Sequence, residues 1–349
     1  MIWKNSSEII GIDIGASSIK IAEISWQNNT PILKSFGIKK LADNIIEDGL
    51  IIDNQQLMNT LKELLIASHI NSKSVVIAVG GGSMFARELI FPMMSKEELK
   101  EAIKWDLDKY IPYTPASYYY DFSIVGNGMT EKEIKVLLVA SPIENVNQII
   151  SVIKSLGLIL IAIDIEPLAL YRTVIDAKQS IVIDIGALLS QVTLFQNDSP
   201  AIIRNIPIGG NHFTQIIMKK LGLAFQEAEE MKHQQSIHSQ IYTDSEYKEV
   251  QRQMDVLVSE ITHDVQRTAE YYQQEHANSM IDKVLITGGG ANLQHLVHTV
   301  SKKLHITTIL HNPLEKLTIP ITFDKTYLQQ VAPQLSIAIG LALRGDNKW

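Results

Sequence analysis

Two heptapeptides, residues 10–16 (IGIDIGA) and residues 181–187 (IVIDIGA), are identical at six of seven positions and lie 171 residues apart. In each, an aspartate (Asp13 or Asp184) stands in an otherwise apolar run, and a glycine opens the turn that follows. A second β-rich run comes next, IKIAEI in one copy and SQVTLF in the other. The pattern is strand, tight turn, strand. Two ordinary hairpins in a β-rich fold would be the plain account. Burying a carboxylate is costly, however, unless it is paired or lies near a cation. Meeting that cost twice in one context points to a shared site for a polyanion and a metal ion.

A third element extends the pair. Residues 284–293 read VLITGGGANL, an apolar run followed by three glycines, and a helical pattern continues over 294–303. Glycines at a strand-to-helix turn let backbone approach a flat ligand and leave helix N–H groups available. The other triple glycine, Gly80–Gly82, lacks the downstream Lys-Ser/Thr of a phosphate-binding loop and reads as a chain bend.

Around these motifs, Ile- and Val-rich strand patterns at 9–14, 19–24, 75–79, 134–140, 159–165, 181–185, 191–195 and 284–287 alternate with helical periodicity at 54–68, 95–110, 144–156 and 254–275. Such alternation means α/β layers. Ser95 with Glu98 forms a capping-box pattern at the head of one helix. The polar stretch 231–249 reads as an exposed tip, and its His233 and His238 as solvated histidines rather than metal ligands.

With 349 residues the chain is long enough for two domains. Its formal charge of −7 argues against a nucleic-acid coat, and zero cysteines exclude disulfides, thiolate metal sites and cysteine nucleophiles. The N-terminus carries no basic-then-apolar signal pattern. The longest apolar run, about 156–163, is too short for a bilayer, and Asp164 marks the end of a buried strand. The expectation is a cytoplasmic protein.

The ordered set of two acid–glycine hairpins and a late glycine turn resembles the actin–Hsp70–sugar kinase ATPase fold. IDIEPLAL at 163–170 is similar to that fold's first interlobe connection, and SIAIGLAL at 336–343 to its second, with Gly340 at a packed helix crossing. Within the superfamily the chain resembles the type IV pilus assembly protein PilM family, relatives of the division protein FtsA. The blocks that carry the likeness are GIDIGASSIKIAEI, FARELIFPMMSKEELKEAIKWDLDKYIPYTP, IRNIPIGGNHFTQIIMKKLGLAFQEAEEMK, QRTAEYYQQ and ITGGGANL.

The resemblance implies an α/β, actin-like two-lobed fold with subdomains 1A (1–85, returning at 161–178), 1C (86–160, an FtsA-type insertion), 2A (179–212 and 271–332) and 2B (213–270). Residues 333–349 form a helix returning to 1A.

The resemblance also implies ATP and Mg²⁺ as ligands. Asp13 and Asp184 would face each other across the cleft and hold magnesium through water. Gly15, Ala16, Ser17 and Ser18 would cradle phosphates, with Lys20 adding charge; Gly186 and Ala187 would do the same from the other lobe. Gly288, Gly289 and Asn292 would line the adenine and ribose pocket. Glu229 and Lys232 would reach ribose and base, or else form an i,i+3 surface pair. Lys20 has the alternative of a solvent-facing strand position. Glu166 would orient an attacking water, or else fix the connection beside Pro167.

Leu188 and Leu189 stand where many ATPases of the superfamily carry glycine and threonine, so slow or absent turnover is expected. The resemblance further implies a PilN-like inner-membrane partner whose cytoplasmic tail binds between 1A and 1C, where Trp105, Tyr110, Tyr113, Tyr118, Tyr119, Tyr120 and Phe122 cluster in the sequence. Most of these aromatics are expected to pack 1C onto 1A. Without FtsA's terminal amphipathic helix, recruitment to the membrane is expected through that partner. Pilus motor ATPases and self-association are further expectations. A small-metabolite kinase or an FtsA-like division scaffold is the alternative reading.

Overall fold

The N-terminal heptapeptide enters the structure as a strand buried on both faces, which is why it is apolar at nearly every position rather than alternating. The structure is a computed structural model that describes residues 8–47, 49–128, 130–175, 178–197, 199–233, 244–275, 280–293 and 296–345. The chain divides into two units: Met1–Arg172 with Ala201–Ile203 and Ile337–Trp349, and Thr173–Pro200 with Arg204–Ser336.

In the first unit β1 (Ile9–Ile14) turns into antiparallel β2 (Ser18–Gln27), which pairs in turn with β3 (Thr30–Lys40). A small hairpin, β4 (Ile46–Glu47) and β5 (Leu50–Ile51), leads to helix α1 (Asn54–Ala67). Asp53 caps α1 by accepting the Gln56 N–H at 2.9 Å. Its Leu57, Leu61 and Leu64 stripe packs on Ile10, Ile12, Ile19 and Ile21. Strand β6 (Ser74–Val79) then returns parallel to β1.

The chain next makes an excursion: β7 (Phe85–Pro92), α2 (Lys96–Tyr110), β8 (Tyr118–Asn127), β9 (Glu133–Pro142) and α3 (Ile143–Ser155). Its three strands form a separate sheet in the order β7-β9-β8. Leu99 and Ile103 of α2 close one face of that sheet over Leu89, Phe91, Val136 and Leu138. Tyr110, Tyr113, Tyr118, Tyr120 and Phe122 pack into this core rather than joining the excursion to the main sheet as expected, because they lie on the face of β8 and at the end of α2 that close on each other, or between the two; Trp105 is 83% exposed and Tyr119 49%. Strand β10 (Ile159–Ile165) rejoins the main sheet parallel to β6, and α4 (Glu166–Thr173) follows. Asp164 is buried at the end of β10, where Arg172 and Arg344 meet its carboxylate at 2.6 and 2.9 Å.

The helix Ser336–Ala342 closes the unit. A Cβ on Gly11 would fall 1.9 Å from the Ala338 carbonyl, and one on Gly340 would fall 1.8 Å from that of Ala169. The one mismatch between the two heptapeptides, Gly11 against Val182, is therefore imposed by this helix.

The second unit repeats the plan. Strands β11 (Gln179–Ile185), β12 (Ser190–Gln196) and β13 (Ser199–Ile206) are followed by helices α5 (Gly210–Leu221), α6 (Phe225–His233) and α7 (Asp244–Glu275). Then come β14 (Lys283–Thr287), α8 (Leu296–Leu304), β15 (Thr308–Leu310) and α9 (Lys325–Val331). The first sheet runs β10-β6-β1-β2-β3 and the second β13-β12-β11-β14-β15. Each unit thus has a three-strand meander whose first strand carries two further strands, β6 and β10 or β14 and β15, in parallel. The stretch 234–243, with His238, and residues 294–295 of the expected helix lie outside the described residues. Among the described residues no helix is long and apolar enough to cross a membrane.

Candidate functional site: two hairpin turns and a glycine turn

The two hairpins are alike down to their closing bond. Gly15 N–H donates to the Ser18 carbonyl at 3.1 Å, and Gly186 N–H donates to the Leu189 carbonyl at 3.0 Å. Within each turn two successive N–H groups, those of Ala16 and Ser17 and those of Ala187 and Leu188, donate to no protein acceptor among the described residues. Consecutive outward amides of this kind form an anion-binding concavity.

The aspartates precede the turns by two residues but have different neighbours. Asp13 is buried and stands opposite Lys20 in register; the Lys20 ammonium meets its carboxylate at 3.2 Å. A Cβ on Gly15 would lie 2.9 Å from that same ammonium, so Lys20 leans over the turn rather than facing solvent. In the second unit Asp184 is opposite Gln191, whose amide donates to Asn205 at 3.2 Å. The cation of the first hairpin has no counterpart at this register position of the second.

Strand β14 runs parallel to β11 with Thr287 beside Asp184, which brings the glycine turn to the aspartate. Gly288 has φ +89° and a Cβ there would fall 2.2 Å from Asp184 Oδ1. Any side chain would both strain the backbone and displace the carboxylate. Gly289 opens onto free space, and Gly290 N–H binds the Ile185 carbonyl at 2.9 Å, tying the turn to the strand that carries Asp184. Asn292 is exposed and donates to the Gln330 carbonyl at 3.0 Å. It also borders a recess of about 550 Å³ that Leu296, His298, Thr308 and Leu310 help to line.

Two sequence expectations take a definite structural form. Glu166, the first residue of α4, accepts the Gly81 N–H at 3.2 Å, and a Cβ on Gly80 would fall 1.8 Å from its carboxyl carbon. Gly80 is therefore bare where the Glu166 carboxylate arrives. Glu229 and Lys232 do not form a surface pair, because the Lys232 side chain is 3% exposed and the Glu229 side chain 19%. Their contact, at 2.6 Å, is buried between α5 and α6, where Lys232 also donates to Thr214 Oγ1 and the Gly210 carbonyl. Burial carries the cost of desolvation, and three acceptors around one ammonium offset it.

Thr214, Gly209 and Gly210 were not singled out from the sequence. The signal was the GG pair after β13, since a Cβ on Gly209 would fall 2.5 Å from the Ala187 carbonyl.

The family model for the type IV pilus assembly protein PilM matches residues 11–346. The chain belongs to that family. A solved PilM–PilN type IV pilus biogenesis complex has a chain 25% identical to this one, with a TM-score of 0.84 over 97% of this chain and 98% of that one. The ethanolamine utilization protein EutJ of Carboxydothermus hydrogenoformans, 17% identical, superposes at a TM-score of 0.58 over 96% of this chain and 89% of its own. MreB5 of Spiroplasma citri, in a crystal structure bound to AMPPNP, is 14% identical with a TM-score of 0.55, covering 97% of this chain and 96% of that one. This PilM-family chain has the actin-like ATPase fold.

Proposed function

We propose that this protein is a nucleotide-binding component of the type IV pilus assembly platform, held at the cytoplasmic face of the inner membrane by the N-terminal tail of a PilN-like protein. The observation that carries the nucleotide reading is the repeated turn: two pairs of outward N–H groups, each three and four residues beyond a strand-borne aspartate. The donor set fits magnesium triphosphate. Backbone N–H groups and a lysine suit phosphate oxygens, and carboxylates suit a hard, hydrated cation.

In this reading Ala16, Ser17 and Ser18, with Lys20, bind phosphate in the first unit; in the second, Ala187 and Leu188 donate to it while Gly186, its N–H spent on Leu189, keeps their turn closed. Asp13 and Asp184 order the water shell of magnesium, which supplies charge neutralisation. Gly288, Gly289 and Asn292 accommodate the nucleoside. Glu166, already accepting from Gly81, fixes the β6 end of the connection. Leu188 is 40% exposed in the second turn and offers no hydroxyl to position water, which supports a ligand that is held rather than rapidly hydrolysed.

Mg-ATP added at saturation is expected to raise the melting temperature, and Asp184→Asn to reduce that rise severalfold, with phosphate release remaining slow. No thermal shift at millimolar Mg-ATP would end the nucleotide reading, and rapid phosphate release would end the slow-turnover part.

A further inference from the structure

The glycine turn after β14 is pinned at both ends by the segment that precedes the helix Ser336–Ala342. At its start a single oxygen, the Pro333 carbonyl, takes two consecutive residues: it accepts the Gly288 N–H at 3.1 Å and the Thr287 hydroxyl at 2.8 Å. That oxygen belongs to the short 3-10 turn Ala332–Leu335. Ser336 Oγ lies 2.7 Å from Thr287 Oγ1 and 3.1 Å from the same carbonyl, so two hydroxyls and one carbonyl form a closed triangle. The triangle is sealed from solvent, with Thr287 0% and Ser336 1% exposed. At the far end of the turn the Asn292 amide donates to the Gln330 carbonyl at 3.0 Å.

The chemistry of the triangle closes. A carbonyl oxygen has two lone pairs, and the Gly288 N–H and Thr287 O–H take both. The Ser336 O–H then turns to Thr287 Oγ1, and every hydrogen has an acceptor. Gly288 sits at φ +89°, and glycine passes easily through such conformations, so this residue has to be held from outside. What the clamp leaves over is specific. Gly290 N–H is on Ile185, Ala291 N–H on Gly288 and Leu293 N–H on Gly290, whereas those of Gly289 and Asn292 donate to no protein acceptor among the described residues. Gly289 is also the residue of the turn with open space beside it.

We propose that Thr287 and Ser336 are positioning residues for the nucleoside end of the site: through the Pro333 carbonyl they fix Gly288, and with it the backbone that Gly289 presents to the ligand. This rests on the nucleotide reading above. Neither hydroxyl touches the nucleotide, because both are engaged inside the triangle.

The test is titration with Mg-ATP of the full-length protein and of Thr287→Val, Thr287→Ser, Ser336→Ala and the Thr287→Val/Ser336→Ala pair. Valine keeps the branched shape and removes the hydroxyl, whereas serine keeps the hydroxyl and removes the methyl. Thr287→Val is expected to weaken Mg-ATP about fivefold, the size of one buried hydrogen bond, and Thr287→Ser to stay within about twofold of wild type. Ser336→Ala is expected to give a smaller loss, and it stands in if Thr287→Val folds poorly. Both hydroxyls belong to one network, so the paired variant is expected to bind no worse than Thr287→Val alone. Amide exchange without ligand is expected to quicken at Gly288 in Thr287→Val while β11 stays protected.

Serine binding as weakly as valine would assign the effect to packing of the methyl group and overturn the proposal. So would wild-type affinity in Thr287→Val, losses that multiply in the paired variant, or exchange that quickens across β11 as well as in the turn. A wild-type protein that binds no Mg-ATP removes the nucleotide reading itself, and the positioning role falls with it.

Discussion

Glu23 and His311 are ionisable side chains that the interior forces toward neutrality, by opposite routes. Burial raises the Glu23 carboxyl above its ordinary 4.5; the Ser72 N–H, which donates to it at 3.0 Å, opposes this, and nearby Glu8 adds to it. Burial lowers His311 to about 4, with Lys283 and Lys316 adding to the effect, and its Nε2 faces Thr173 Oγ1 at 2.8 Å. The two act oppositely on stability. A raised carboxyl binds its proton more tightly when folded, so its contribution is full below the unfolded value and lost as pH rises through the folded one. A depressed histidine contributes fully above 6.5 and loses that contribution as pH falls toward 4. Glu23→Gln keeps an acceptor for Ser72 without the charge. It is expected to raise the denaturation midpoint at pH 7, with the gain shrinking toward pH 4.5; a gain equal at both values would refute the ionisation argument. Asp164 shows the other solution to burial, a carboxylate met by two arginines.

Among the elements, α2 shows how far a local rule reaches. Ser95 and Glu98 announce a capping box in the sequence, and both bonds form: Ser95 Oγ accepts the Glu98 N–H at 3.2 Å, and Glu98 Oε2 accepts the Ser95 N–H at 2.8 Å. Ser95→Ala is expected to cost about 1 kcal/mol in chemical denaturation, and Glu98→Ala less than that on top of it, because the two bonds belong to one cap. Helix α5 is the contrary case. It begins on two glycines, with His212 Nδ1 accepting the Gly209 N–H at 3.0 Å, and its Gly210 and Asn211 N–H groups are satisfied by the Gly186 and Ala187 carbonyls, more than twenty residues earlier. No local pattern encodes those two distant carbonyls. Strands β3, β7, β8 and β13 escaped the apolar-run reading for a related reason. They are edge or outer strands that mix buried and half-exposed positions, whereas the recognised β1 and β11 are almost wholly buried.

For the molecule entire, the repeated sheet order means that one structural plan supplies both aspartates and both turns, while the excursion β7–α3 belongs to the first unit alone. Its exposed Trp105, Tyr119 and Ile90 are the large side chains of this segment available to a partner in the proposed reading. A synthetic peptide with the cytoplasmic tail sequence of a PilN-like protein is expected to bind the intact chain. Binding should vanish when residues 86–160 are replaced by a short linker, while the thermal response to Mg-ATP persists. Retained peptide affinity with that response intact would move the partner site elsewhere.

By itself the sequence determined the two aspartate-bearing strands, their glycine turns, the late glycine turn and the family, because each depends on a residue type that few backbone contexts admit: a carboxylate in an apolar strand, or a missing Cβ where chains meet. It left open whether Glu229 and Lys232 lie on the surface, what Glu166 holds, and why Gly80, Gly209 and Gly210 are glycines. Those answers depend on which group arrives from a distant segment: the Glu166 carboxylate at Gly80, the Ala187 carbonyl at Gly209, the Lys232 ammonium near Gly210. Lys232 reads as a nucleoside contact or a surface cation until Gly210 and Thr214 of α5, 22 and 18 residues earlier, close over it. Spacing within one helix fixes a neighbour three residues away, but only the packing of α6 on α5 fixes the dielectric around the pair, and with it what the charge can do.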